Sequence, residues 1–73
     1  MKFNYINDAV KIDFKTSKLL ENTMKEAEQL DSENNVEYFC VAESIDVIAK
    51  GLVASKIITE EQWEQILKRY PLE

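Results

Sequence analysis

The chain has 73 residues with one Gly, one Pro, one Cys and no His, and a net charge of −5. That is room for one small domain, with too few turn residues for a sandwich or barrel, no imidazole for proton transfer or metal ligation, and no second thiol for a disulfide or a Cys-based cluster. The charge has the wrong sign for general nucleic-acid binding or for an anionic membrane surface.

No cofactor is expected from this composition. The opening residues lack the apolar run of a signal peptide, and no stretch is long enough to cross a membrane. With a lone thiol, this makes the cytoplasm the expected compartment.

The first third supports two readings. In the favoured one, a single helix runs over residues 8–30, capped by Asn7. At 100° per residue, Lys11, Lys15, Lys18, Glu21, Asn22, Lys25, Glu26 and Gln29 fall within a sector of about 140°. Ala9, Ile12, Thr16, Leu19, Leu20, Thr23, Met24, Ala27 and Leu30 lie on the other side, and only Asp13 and Phe14 are out of phase. In the alternative, residues 2–14 form a β-hairpin about Asn7-Asp8, with Met1, Phe3, Tyr5, Val10, Ile12 and Phe14 on one face and Lys2 opposite Asp13. That gives an α+β chain with three helices. A lone two-stranded hairpin is marginal in water.

Asp31-Ser32-Glu33-Asn34-Asn35 is a polar connection to a second helix over residues 35–55, started by Asn34 with Glu37 three later. Its broad apolar face is Tyr38, Val41, Ala42, Ile45, Ile48, Ala49, Leu52 and Val53. A narrow second stripe, Val36, Cys40, Val47 and Ala54, lies opposite, beside Ser44 and Gly51, and a helix apolar on two sides is normally packed on two sides. Phe39 falls toward the polar side, to pack under the N-terminal residues or to stand at an interface. Gly51 reads as a tolerated helix glycine. Where the helix must end there is no Gly, so Lys56 is expected at the left-handed position, with Ile57 next, in a Schellman turn.

Thr59-Glu60-Glu61-Gln62 is a capping box, with Ile58 and Trp63 spaced as a staple. Trp63, Ile66, Leu67 and Tyr70 then share a face of a third helix over residues 60–70, with acids first, Lys68 and Arg69 last, and Pro71 as the stop. Leu72-Glu73 reads as a cloning remnant and is left outside a single helical domain, residues 1–71. The expected fold is therefore all-α: two long antiparallel helices and a short third that covers only half of them. The uncovered half invites a second copy of the chain.

No pattern rises to a catalytic or metal site. Asp31-x-Glu33-x-Asn35 opens like a calcium loop, but Val36 stands where Gly is needed and Ala42 where the bidentate Glu belongs. Cys40 has no His to activate it and reads as small filler or as a contact across a dimer. Glu60, Glu61 and Glu64 suit a helix start and repel phosphate, against a DNA-reading helix. The stripe Lys11, Lys15, Lys18 and Lys25 is broken by Glu21 and lacks Arg, which argues against nucleic acid as a partner. Residues 26–49 hold seven acids and no base, and Glu33, Glu37, Glu43 and Asp46 are the candidate acidic surface.

The run Leu52-Val53-Ala54-Ser55-Lys56-Ile57-Ile58-Thr59-Glu60-Glu61-Gln62-Trp63, with Ile66-Leu67, resembles the short C-terminal helical hairpin domain of many bacterial proteins, departing from it where Ser55-Lys56 replaces the usual Gly. The resemblance implies oligomerisation or attachment and no chemistry. In size and composition the whole chain is similar to small helical proteins of bacterial genomes and their prophages.

The expected function is non-catalytic protein–protein binding as a homodimer. Val36, Phe39, Cys40, Val47 and Ala54 are the candidate contact residues. The alternative is an acidic inhibitor or regulator of a basic protein partner, of the mobile-element kind.

Overall fold

The computed structural model describes residues 3–72. Three helices follow one another: α1 Lys18–Ser32, α2 Tyr38–Ala54 and α3 Glu60–Arg69. Among the described residues there is no strand, so the all-α reading holds and the β-hairpin alternative does not. Its Met1 and Lys2 lie outside the described residues.

The expected start of the first helix is corrected. Ser17, in extended conformation, caps α1 by accepting the Leu20 N–H at 3.1 Å, and residues 8–17 are not helical. The helical phase of those residues is real but is overridden by tertiary bonds that a helix would forbid. The Asp31 carboxylate, fully buried at the end of α1, accepts the backbone N–H groups of Asn4, Tyr5 (3.0 Å) and Ile6 (2.7 Å). The Asn4 side-chain amide donates to the Asp31 carbonyl at 2.6 Å. Farther on, the Asn7 N–H donates to the Arg69 carbonyl at 2.9 Å, and the Arg69 guanidinium donates to the Val10 carbonyl at 2.7 Å. Gln65 holds the Lys11 carbonyl. Residues 3–17 are thus an irregular strap tied to the ends of α1 and α3. Phe3, Tyr5, Ile12 and Phe14 pack against the core, and Ile6 enters it. The strap occupies ground that two helices and a short third were expected to leave open.

The core follows helical spacing: Leu20, Met24 and Ala27 from α1, Tyr38, Ala42, Ile45, Ala49 and Leu52 from α2, and Ile66 from α3, closed by Ile6, Ile58 and Tyr70. α2 lies between α1 and α3 in the contact order, packing on both. Tyr5 stacks on Tyr38 at 5.2 Å between ring centroids, and Phe39 closes the cluster at 4.8 Å from Tyr5.

Both inter-helix turns are Schellman turns built without glycine. After α1, Asn34 takes φ 54°; its N–H donates to the Asp31 carbonyl at 2.8 Å, and that of Asn35 to the Leu30 carbonyl at 2.9 Å. After α2, Lys56 takes φ 64°, with Lys56 N–H to the Val53 carbonyl at 3.0 Å and Ile57 N–H to the Leu52 carbonyl at 2.9 Å. The turn expected at Lys56 is present. The start of α2 differs from expectation: the Asn35 side chain, not that of Asn34, accepts the Glu37 N–H at 2.9 Å, and the helix begins at Tyr38. The capping box of α3 is complete, with Thr59 Oγ1 accepting from Gln62 at 3.1 Å and Gln62 Oε1 accepting from Thr59 at 2.9 Å.

Two substitutions test this account. Lys56→Gly removes the left-handed penalty and is expected to raise unfolding free energy by about 1 kcal/mol in urea titrations. Asp31→Ala leaves three backbone donors without an acceptor and is expected to cost about 3 kcal/mol, with faster proteolytic cleavage within the strap.

Candidate protein-interaction surface

α2 carries the same spacing twice. Its buried residues are Tyr38, Ala42, Ile45, Ala49 and Leu52, at intervals of four and three. Two positions further along each time stand Cys40, Ser44, Val47, Gly51 and Ala54, all exposed. Two residues turn a helix by about 200°, so the second series lies back to back with the first. Alternating steps of four and three are the spacing of apolar residues in a helix that pairs with another; here Cys40, Val47 and Ala54 are apolar, and Ser44 and Gly51 are small. Val47 on this seam is 67% exposed. A shallow groove of about 380 Å³ is lined by Cys40, Glu43, Ser44, Val47 and Ile48.

Of the contact residues expected from sequence, Cys40, Val47 and Ala54 lie on this seam. Val36 is 70% exposed but stands in the turn before α2, at its margin. Phe39 is half-buried in the Tyr5–Tyr38 cluster, so the first of its two roles, packing under the N-terminal residues, is the one realised. Cys40 is a free, exposed thiol and not buried filler. Glu43 and Lys50, exposed on one flank of the seam, were not singled out as a pair; the seven-residue interval between them was the available signal.

The acidic residues do not assemble into one surface. Glu37, Glu43 and Asp46 spread over about half the circumference of α2 at 100° per residue. Asp46 accepts the Trp63 indole N–H at 3.0 Å, which fastens α3 to α2, and Glu33 accepts from Gln29 at 2.7 Å. Two more acids of the central block, Asp31 and Glu28, are bonded internally. The Lys stripe is divided as well: Lys18 and Lys25 are on α1, whereas Lys11 and Lys15 are on the strap, with Lys11 3.5 Å from Asp8.

A second concavity, of about 410 Å³, lies where the strap passes α1 and α3. At its floor the Tyr70 hydroxyl donates to Glu28 at 3.0 Å and accepts from Arg69 Nε at 3.2 Å. Arg69 also approaches Glu28 at 3.6 Å and Asp8 at 3.7 Å. Burial, together with the Glu28 charge, pushes the Tyr70 hydroxyl up to about 12 against the lowering pull of Arg69. Burial and then the Asp31 charge likewise push Tyr38 above the ordinary tyrosine range. Both hydroxyls keep their protons at neutral pH, and the network is a clasp between strap and helix ends.

No protein-family model, curated protein or solved structure matches the chain. Residues 52–67 form the end of α2, a tight turn and the capped start of α3.

The raised tyrosine has a consequence for stability. An unfolded tyrosine ionises near 10, whereas folded Tyr70 holds its proton to about 12. Its contribution is present below pH 10 and is lost as the pH rises through that window, because the unfolded chain releases the proton first. Denaturant titrations between pH 8 and 12 are expected to show stability falling above about pH 10, with a shallower fall in Tyr70→Phe.

Proposed function

We propose that this protein is a non-catalytic binding module that pairs with a second copy of itself through the outward face of α2. The observation that carries the reading is the seam Cys40, Ser44, Val47, Gly51 and Ala54, directly opposite the buried face of the same helix. Small residues there allow a partner backbone to approach closely, and Val47 offers apolar area that solvent otherwise covers. Asp31 and Arg69 are bonded to the strap, and Glu28 and Tyr70 are bonded to each other and to Arg69.

The acidic-inhibitor alternative gains nothing from the geometry, since Asp46 is bonded to Trp63 and the other acids face different ways.

One helix face is a small interface, so dissociation in the roughly micromolar range is expected. Size-exclusion chromatography with light scattering, from about 10 μM to 1 mM, is expected to show a dimer that Val47→Glu dissociates. An exposed site tolerates that change within about 0.5 kcal/mol, so the variant keeps its helical circular dichroism. A wild-type monomer across this range overturns the reading.

A further inference from the structure

We infer that the two copies pair with their α2 helices antiparallel, in the one register that sets Glu43 beside the partner's Lys50. The inference rests on the α2 dimer proposed above and adds its direction and alignment. The seam occupies the two inner positions of a heptad pattern, and Glu43 and Lys50, seven residues apart, occupy the same flanking position in successive heptads. Both are exposed, and neither forms an ion pair within the chain among the described residues. The Lys50 ammonium lies over the Trp63 ring, 5.7 Å from its centroid.

Three arrangements engage at least four layers of the seam, and charge separates them. With the helices parallel, Cys40 faces the partner's Cys40, and Glu43 and Lys50 point toward the partner's Ile48 and Ser55, so neither charge is matched. With the helices antiparallel and Gly51 opposite the partner's Val47, Lys50 meets the partner's Lys50. With the helices antiparallel and Ser44 opposite the partner's Val47, Cys40 faces the partner's Gly51 and Glu43 meets the partner's Lys50. The two-fold axis repeats that ion pair on the other side. Large then opposes small at each inner layer, Val47 against Ser44 and Cys40 against Gly51, as close helix packing requires. Glu43 and Lys50 carry opposite charge on the same flank, so this chain is complementary to its own reversed copy.

The register is tested by charge reversal and by crosslinking. Glu43→Lys and Lys50→Glu each place like charges at both pairs and are expected to weaken dimerisation about tenfold, while the double variant Glu43→Lys/Lys50→Glu restores it. Glu43→Lys leaves the Lys50–Trp63 contact untouched, which separates the effect from loss of that contact. In this register the two native thiols are about 16 Å apart along the helices, beyond the roughly 7 Å reach of a disulfide. Mild oxidation of the wild-type protein is therefore expected to give no covalent dimer. Gly51→Cys, where a Cβ meets nothing within 4 Å, is expected to give one through Cys40, and Cys40→Ser/Gly51→Cys is not. A wild-type dimer that Val47→Glu dissociates but that ignores charge reversal, or that crosslinks through Cys40 alone, overturns the register and leaves the α2 dimer standing. A wild-type monomer removes both.

Discussion

A carboxylate at the end of a helix organises this small protein. Asp31 is buried with no ion pair to it among the described residues, and the cost of that burial is met by three consecutive backbone N–H groups from Asn4, Tyr5 and Ile6. Charge-assisted bonds of this kind are about twice as strong as neutral ones. The arrangement works in both directions. Three polar groups of an irregular segment need an acceptor, and a buried anion needs donors. Satisfying both fixes the strap against α1, and Tyr5 is then set to stack on Tyr38 and to donate to Asn34 at 2.9 Å. Asn34 is itself the left-handed residue that ends α1. The anchor, the aromatic cluster and the turn into α2 thus share a few residues.

The other end of the strap depends on Arg69. Its guanidinium is largely covered, bonded to the Val10 carbonyl and the Tyr70 hydroxyl, near Glu28 and Asp8, and over the Phe3 and Tyr70 rings. A chain of 73 residues buries a smaller share of its surface than a larger domain does. Clamping a non-helical segment at both ends lets Ile6, Ile12 and Phe14 add apolar contact without another helix. Four of the seven acids of the central block, Glu28, Asp31, Glu33 and Asp46, are held in internal bonds, so net charge is a poor guide to the surface this protein presents.

What could be read in the sequence was whatever depends on neighbours within a few positions. The capping box at Thr59, the phase of α2 and the left-handed Lys56 are local patterns, and each is present. The strap was hidden because its determinants are 25 or more residues away: nothing near Asn4 announces Asp31, and nothing near Val10 announces Arg69. Residues 8–16 hold helical phase in the sequence, yet phase only states which face would be apolar if a helix formed. Ser17 was the local signal for the true start, since it caps from an extended conformation. On the outward side of α2, Cys40, Val47 and Ala54 were legible from periodicity. The place of Phe39 was not, because it is decided by Tyr5 on the strap.

The two series on α2 explain why that helix differs from the others. Apart from Leu19, which is 63% exposed, α1 and α3 turn charged or polar residues to solvent: Lys18, Glu21, Asn22, Lys25 and Glu26 on one, Glu60, Glu61, Glu64 and Lys68 on the other. α2 repeats its core spacing on the solvent side with small residues in place of large ones. Solubility alone would favour charge at Ser44, Val47 and Ala54, and helix stability alone would favour Ala at Gly51, where an added Cβ meets open space. Neither pressure accounts for a narrow small-residue seam flanked by one acid and one base a heptad apart. In the pairing we propose, close approach of a second helix would account for the small side chains, and an antiparallel partner for the sign of the flanking charges.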